Sequence, residues 1–266
     1  MDTASITTLL QDVAAEVVTP RFRSLHSSQI HEKNPGDLVT VADHEAEVLI
    51  TDALKAAYPG AVVLGEEAHA ADPSLLDRYS AAEHAFTVDP VDGTKNFVNG
   101  SPDHAVMVAE LRAGVVTRSW IWQPQHQLMY VAERGTGAWR NNEPLVRAPA
   151  AASPEEWRGV TSRRSWIGRS LPGLSPLELT WVSCGVDYPR LAEGLADYLL
   201  YFHAKPWDHA PGSLLLEEAG GVVATRTGDE YDPRHDEHDG VVAAADPATS
   251  EVVRARLALV PVGGKP

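Results

Sequence analysis

The sequence predicts layered sheets and helices, with an α+β half followed by an α/β half. Residues 104–147 contain strand-like runs separated by short turns, which is typical of an antiparallel meander. Further along, strand-like and helix-like segments alternate, which favours an α/β arrangement. We place the junction in the Ala- and Pro-rich stretch Ala148–Pro154. The predicted halves are therefore residues 1–147 and 148–266.

Hydrophobic spacing predicts the elements of the first half. Apolar residues at helical spacing predict a helix over Ser5–Phe22, and a polar loop follows at His31–Gly36. A second helix is predicted over Val41–Tyr58 and ends at Pro59-Gly60. Its apolar face is expected to carry Val48, Leu49 and Leu54.

Short apolar runs predict the strands. Two buried strands are expected at 61–65 and 85–88, and the meander follows as His104–Leu111, Val115–Trp122, Gln127–Glu133 and Ala138–Arg140. In the second half, strands are predicted at Leu179–Ser183, Asp197–Phe202, Val222–Thr227 and Val241–Ala244. Helices are predicted at Tyr188–Leu195, Asp208–Ala219 and Pro247–Leu259.

Composition narrows the classes of partner. The 266 residues include 37 Asp+Glu and 22 Lys+Arg, which gives a net charge of −15. This balance disfavours nucleic acid and anionic membranes as partners, because both attract clustered Lys and Arg. The single cysteine, Cys184, excludes a disulfide within the chain and favours a reducing compartment. With neither a signal-peptide pattern nor an apolar run long enough to span a bilayer, we expect a cytoplasmic protein.

Three acidic clusters stand where apolar strands end or helices begin. They are Gly65-Glu66-Glu67, the run Asp89–Phe97, and Trp207-Asp208. A charge at the end of a buried strand, such as that of Asp89, is costly unless it is paired or bound to a metal. The following Gly93-Thr94 is expected to begin a helix, whose free N–H groups suit a phosphate. Carboxylates beside a phosphate are consistent with Mg²⁺ between them.

Each cluster also has a purely structural interpretation. Asp89 and Asp92 are favoured residues of turns and helix N-caps. The pair Glu66-Glu67 could be a solvated strand end, and Asp208 could be an N-cap alone. The occurrence of all three clusters in one chain favours the functional interpretation.

These clusters, with Asp37–Asp43 and Glu133–Ala138, resemble the characteristic motifs of the inositol monophosphatase family. The resemblance extends over almost the whole chain. It implies an αβαβα layered fold, and an Mg²⁺-dependent, Li⁺-sensitive phosphatase that acts on a small phosphorylated metabolite. It also implies a homodimer, because many members of the family form one.

The resemblance also implies which residues bind metal and activate water. The implied metal ligands are the side chains of four acids and one backbone carbonyl: Glu66, Asp89, Asp92 and Asp208, with the carbonyl of Val91. Asp43 would hydrogen-bond Thr94, and Thr94 with Glu66 would orient and activate a water molecule. Glu67 would lie near the metals. The implied reaction is in-line attack by water, without a phosphoenzyme.

Substrate contacts are implied for a further set of positions. The backbone N–H groups of Gly93 and Thr94 would hold the phosphate, and Gly185 lies in the segment that resembles the phosphate-proximal loop. Asp92 and Asp208 would also contact the substrate.

Two positions depart from the pattern of inositol-specific members. Tyr201 stands where those members carry a glutamate that binds ring hydroxyls, and Val186 stands where a threonine or serine is usual. Histidinol phosphate, fructose 1,6-bisphosphate and adenosine 3′,5′-bisphosphate are therefore alternative substrates. A non-catalytic metal or phosphate sensor on the same fold is the alternative from another class.

Four further features have open roles. Lys33 lies where the family often has a loop lysine near the active site, and a solvated lysine is the alternative. His209 follows Asp208 and could face the substrate. The loop 235–238 could bind metal, although a solvated loop is the more economical interpretation. The basic segment Arg158–Arg169 could form a substrate rim or a dimer contact.

Overall fold

The computed structural model describes residues 1–236 and 239–260. In these ranges the helices are α1 (Thr3–Val13), α2 (Val41–Ala57), α3 (Glu66–Ala71), α4 (Leu75–Ser80), α5 (Thr94–Val98), α6 (Cys184–Ala192), α7 (Pro206–Ala219) and α8 (Pro247–Leu257). Strands β1–β7 are Ile30–Asn34, Asp37–Thr40, Val62–Gly65, His84–Asp92, Ala105–Arg112, Val115–Gln123 and Leu128–Glu133. Strands β8–β14 are Gly137–Arg140, Glu143–Leu145, Gly159–Thr161, Glu178–Leu179, Tyr198–Leu200, Val222–Thr225 and Val241–Ala244. None of the helices in the two described ranges combines the length and the apolar character that crossing a membrane requires.

The first helical segment matches its prediction closely. Asp2 caps α1 by accepting a hydrogen bond of 2.8 Å from the backbone N–H of Ser5. A π-helical turn at Ala14–Val18 and a 3₁₀ turn at Thr19–Arg21 extend the segment to the predicted end. The predicted polar loop at 31–36 is wrong, because these residues lie in an antiparallel hairpin of β1 and β2. The hairpin is mostly exposed, so its sequence has no alternating apolar face that would signal strands.

The second helix has its predicted bounds but a different buried face. Val48 is 57% exposed and Leu49 is 38% exposed, whereas the buried positions include Ala46, Ile50 and Leu54. Small residues such as Ala46 let the helix approach its neighbours closely, and a prediction based on large apolar residues misses this.

A seven-stranded sheet forms the scaffold of the first half. Its strand order follows the chain from β3 to β9; β3 and β4 are parallel, and the remaining pairs are antiparallel. This confirms the meander. Strand β4 continues to Asp92, beyond the predicted end at 88, and its register with β5 is irregular between Asp89 and Asp92.

A five-stranded mixed sheet forms the scaffold of the second half, in the order β11-β10-β12-β14-β13. The strand predicted at Leu179–Ser183 is wrong over most of its length, because Val182 adopts a left-handed φ of 64° and the chain turns into α6. This helix begins at Cys184, four positions before its predicted start. Strand β10 carried too short an apolar run to be predicted.

Three apolar layers join these sheets and helices. On β5, Val106 and Val108 pack with α1 and α2, whereas Met107 packs on the other face with α6 and α7. On β14, Ala243 faces this same central cluster and Val242 faces α8. The order is therefore helices, sheet, helices, sheet, helix, which confirms the αβαβα layered fold. The central cluster contains residues from both predicted halves, and the division at residue 148 stays a prediction.

The crossing of α6 and α7 gives a test of the central layer. A Cβ at Gly212 would lie 2.3 Å from the ring of Tyr188, so Gly212→Ala is expected to destabilise the protein by about 1–3 kcal/mol through overpacking. Gly60→Ala is the matched control, because a Cβ there meets no atom within 4 Å. The measurement is the free energy of unfolding in urea. Equal values for Gly212→Ala and the control would contradict the close crossing.

Candidate metal centre and phosphate site

Three carboxylates from different parts of the chain meet at the end of β4. Asp89 and Asp92 come from this strand, and Asp208 comes from the first turn of α7. Their oxygen atoms lie within 4.8 Å of one another. Hard divalent cations take oxygen ligands of this kind, so the arrangement can hold a metal ion.

Asp89 has an oxygen atom that lacks a protein partner. The residue is 1% exposed, and its Oδ1 atom makes no hydrogen bond within the described part of the chain. A buried carboxylate oxygen without a partner is costly. A bound cation would satisfy it, so the donor set fits a hard metal ion.

Asp92 is held from the opposite side by the start of α6. Its carboxylate accepts hydrogen bonds from Ser183 Oγ, from the N–H of Cys184 at 3.2 Å and from the N–H of Gly185 at 2.8 Å. A Cβ at position 185 would come within 2.5 Å of the Cβ of Ala105, which explains the glycine. The N–H of Gly185, expected beside the substrate, therefore donates to Asp92.

Glu66 and Glu67 begin α3 and share Lys33 as a partner. The Lys33 Nζ atom lies 2.6 Å from Glu66 Oε1 and 2.9 Å from Glu67 Oε1. Lys33 is thus at the acidic site rather than solvated elsewhere, although it lies on β1 and not in a loop.

Glu47 was not among the predicted site residues, but it supports this turn. Its carboxylate accepts the N–H groups of Glu67 and Ala68, both at 2.8 Å. A Cβ on Gly65 would lie 2.2 Å from the Glu47 carboxyl carbon, so the turn requires glycine. The available signal was the helical spacing of Asp43 and Glu47, which places two acids on one buried face of α2.

Asp43 and Thr94 are in contact, as expected from the resemblance. Thr94 Oγ1 lies 3.1 Å from Asp43 Oδ1 and 3.0 Å from the carbonyl oxygen of Val91. The other oxygen of Asp43 accepts the N–H and the hydroxyl of Thr40. Gly93, with a φ of 78°, lets the chain turn from β4 into α5 at this point.

Burial and mutual repulsion raise the pKa values of these acids. Burial raises the pKa of Glu66 to about 8, and the nearby charge of Lys33 offsets only part of this effect. Burial, and to a smaller extent the charge of Asp92, raise the pKa of Asp208 to about 7. Burial, and to a smaller extent the charge of Glu66, raise the pKa of Asp89 well above its usual range. Burial also raises the pKa of Asp43 to about 6.

A cavity of about 260 Å³ opens beside Asp92 and Asp208. Tyr201 lines it, and the Tyr201 hydroxyl donates to the carboxylate of Asp187. Asp187 also accepts the N–H of Trp181 at 2.7 Å, and burial raises the pKa of Asp187 to about 8. Sequence reasoning missed this buried pair, because nothing in the local pattern at position 187 distinguishes it from a helix-start acid.

The other open residues can now be placed. His209 lines the same cavity and is 1% exposed, and its Nδ1 atom lies 2.8 Å from the Tyr188 hydroxyl. From the basic segment Arg158–Arg169, Arg164 also lines the cavity. Of the loop 235–238, positions 237 and 238 lie outside the described residues, while Asp236 forms an ion pair with Lys205.

Residues 2–259 match the model of a family described as the inositol monophosphatase family. The chain belongs to the inositol monophosphatase family. An inositol-1-monophosphatase from Mesorhizobium japonicum is 33% identical over 78% of this chain and 79% of its own length. A Nus factor SuhB from Pseudomonas aeruginosa is 32% identical over 81% of this chain and 82% of its own length.

A solved structure of the same family fold confirms the architecture. It is described as an IMPase/NADP phosphatase complexed with Mg²⁺ and phosphate, and it superimposes with a TM-score of 0.78 at 21% identity. The match covers 98% of this chain and 94% of the other. At this identity the likeness establishes the inositol monophosphatase fold and nothing finer.

Glu47 gives a test of how the turn at Gly65-Glu66-Glu67, at the start of α3, is held. Glu47→Ala removes both acceptors that fix the start of α3, so we expect Mg²⁺ binding to weaken by about 10–100-fold. Isothermal titration of Mg²⁺ into the metal-free protein measures this. Glu45→Ala is the control on the same helix, because Glu45 forms an exposed ion pair with Arg21. An unchanged Mg²⁺ affinity in Glu47→Ala would show that the turn does not depend on this support.

The raised pKa values predict how stability depends on pH. Glu66 and Asp208 have pKa values of about 8 and 7 in the folded chain and about 4 when unfolded, so losing their protons costs stability. The metal-free protein should therefore lose stability as the pH rises from about 4 to 8. Mg²⁺ favours the ionised acids, so the gain in melting temperature should be larger at about pH 8 than at about pH 5.5. Equal gains at both pH values would contradict this linkage.

Proposed function

We propose that the protein hydrolyses a small phosphomonoester with the help of Mg²⁺. The observation that carries this proposal is the convergence of Asp89, Asp92 and Asp208 with one buried carboxylate oxygen lacking a partner. The neighbour described as holding Mg²⁺ and phosphate supports the same choice of cation. When bound, Mg²⁺ supplies charge neutralisation and lowers the pKa of coordinated water.

Residues of this chain would bind the cation and activate the attacking water. Glu66, Asp89, Asp92 and Asp208, with the carbonyl of Val91, would hold the cation. The Thr94 hydroxyl, held by Asp43 at 3.1 Å, would position the attacking water. The carboxylate of Glu66 would accept its proton.

The phosphate would then lie against the turn at the start of α5. Gly93 and Thr94 present backbone N–H groups there, and the left-handed φ of Gly93 sets their direction. Lys33, paired with Glu66 and Glu67, would supply a positive charge beside the acids. These contacts position the ester for in-line attack and offset the charge of its oxygens.

The cavity beside Asp92 and Asp208 would take the leaving alcohol. Position 201 is a tyrosine and therefore offers no carboxylate to sugar hydroxyls. Its own hydroxyl already donates to Asp187. Arg164 and His203 line the exposed side of the same cavity. A leaving group with its own negative charge would complement the guanidinium of Arg164, which favours the two bisphosphate alternatives over inositol monophosphate.

A role within a larger assembly is the second candidate. The relative named Nus factor SuhB favours it. The net charge of −15 disfavours direct binding to RNA, so a protein partner is the better form of this hypothesis. The homodimer and the cytoplasmic location remain predictions from the sequence.

Phosphate release from a panel of esters tests the proposed activity. The panel contains inositol 1-phosphate, histidinol phosphate, fructose 1,6-bisphosphate and adenosine 3′,5′-bisphosphate, each with Mg²⁺, with a chelator, and with Mg²⁺ plus Li⁺. We expect release that needs Mg²⁺ and that Li⁺ inhibits, with the bisphosphates ahead. A folded protein that binds Mg²⁺ but releases no phosphate from any ester would favour the sensor or assembly role.

Asp208→Asn tests whether Asp208 is a ligand of the proposed metal site. It removes a ligand charge worth several kcal/mol to the transition state, so turnover should fall by about 100-fold or more. The fold should persist, because the change also removes a like charge beside Asp89 and Asp92. Turnover and the melting temperature are measured beside Asp52→Asn, an exposed position on α2. Wild-type turnover in Asp208→Asn would refute a metal-binding role for this residue.

A further inference from the structure

A second group of donor atoms lies next to the three carboxylates. The Cys184 Sγ atom, a carboxylate oxygen of Asp208 and an imidazole nitrogen of His209 all lie within 4.8 Å of one another. We propose that these three side chains form a separate cation site, selective for a soft or borderline divalent cation such as Zn²⁺. Asp208 would belong to both sites.

The chemistry of the donors separates the two sites. Asp89 and Asp92 offer oxygen alone, which suits Mg²⁺. Sulfur, nitrogen and oxygen together suit Zn²⁺, which commonly binds three protein ligands and one water. Because thiolate ligands discriminate strongly against Mg²⁺, a soft cation would occupy this site even in the presence of excess Mg²⁺.

The surrounding structure holds these donors in place. Cys184 begins α6, where its own N–H donates to Asp92. The His209 ring is fixed by the Tyr188 hydroxyl at Nδ1 and by the Tyr201 ring, whose centroid is 4.6 Å away in an edge-on arrangement. A partner that fixes the ring of a histidine in this way is typical of metal-ligating histidines.

Access and geometry are both compatible with a cation. All three residues line the cavity of about 260 Å³, which leaves room for a fourth ligand from solvent. Tetrahedral Zn²⁺ places its ligand atoms about 3.5 Å apart, so donors that lie within 4.8 Å of one another need to approach by at most about 1.3 Å. The His209 ring also bonds the carbonyl of His203, and the cation would replace that bond. On binding, the Cys184 thiol loses its proton to solvent and the sulfur forms the metal bond.

Sharing Asp208 has a consequence for the phosphatase. A cation held by Cys184 and His209 would draw the Asp208 carboxylate away from the Mg²⁺ ligands, so it should inhibit hydrolysis. This consequence rests on the proposed function, whereas binding of the soft cation does not.

Co²⁺ is the probe, because a thiolate bound to Co²⁺ gives a charge-transfer absorption in the near ultraviolet. The chain has one cysteine, so such a band reports Cys184 alone. In the metal-free full-length protein we expect the band to saturate at one equivalent of Co²⁺, to persist in millimolar Mg²⁺ and to disappear when Zn²⁺ is added. Absence of the band would overturn the site.

Variants identify the other ligands. His209→Gln should weaken Co²⁺ binding at this band by about tenfold or more, whereas His31→Gln, in the exposed hairpin, should leave it unchanged. Cys184→Ser and Cys184→Ala should both abolish the band. Two different replacements are used so that the test still stands if one of them fails to fold. Unchanged Co²⁺ affinity in His209→Gln would exclude the three-residue site.

The inhibitory consequence has its own readout. Micromolar Zn²⁺ should inhibit Mg²⁺-dependent phosphate release in the parent, and Cys184→Ala should need at least tenfold more Zn²⁺ for the same fractional inhibition. Equal sensitivity in both proteins would refute inhibition through this site. A clear Co²⁺ band together with no phosphate release from any ester would instead contradict the proposed activity and leave the cation site standing.

Discussion

Mutual repulsion among buried carboxylates is the constraint on which this structure depends. Asp89, Asp92 and Asp208 bring three acids within 4.8 Å, and Glu66 adds a fourth charge that raises the pKa of Asp89. Water cannot screen these charges at full strength, since Asp89 is 1% exposed. Contacts elsewhere in the chain must therefore hold the acids together against this repulsion. The elements around the site supply those contacts.

Each acid is held by a different element. Asp92 receives the first N–H groups of α6, while Asp208 is fixed by the start of α7 and Glu66 by the turn that Glu47 supports. The supports come from helices of both predicted halves, α2 in the first and α6 and α7 in the second, so the site forms only when the two halves pack together. The central apolar layer, with Met107 on one side and Ala243 on the other, is the physical link between folding and the site.

The sequence predicted the parts of the site that local chemistry determines. A buried strand ending in acids, a glycine before a short helix, and an acid opening a long helix were each visible in one short segment, which is why Asp89, Gly93 and Asp208 could be named. Lys33 and Glu47 contact α3 across sequence separations of 33 and 20 residues. Local pattern could mark Glu47 as an acid on the same helix face as Asp43, but it could not show which element either residue contacts. The Tyr201–Asp187 pair was not predicted, because the contact joins residues 14 positions apart and Asp187 looks locally like any helix-start acid.

The buried acidic cluster favours the proposed hydrolysis over a role that consists only of binding a partner. An amide of similar size at position 89 would remove one charge from the cluster, so a chain that only binds a partner would have no need of this buried carboxylate. Thr94 held by Asp43 adds a hydroxyl oriented toward the same region, which metal binding alone does not require. The cavity beside Asp92 and Asp208 is also lined by Tyr201 and Arg164, which do not belong to the acidic cluster. Of the two departures from the inositol-specific pattern, Tyr201 lines this cavity, whereas Val186 is fully buried. Under the proposed hydrolysis, a change at position 201 can therefore alter which alcohol is preferred while the acidic site that acts on the phosphate stays the same.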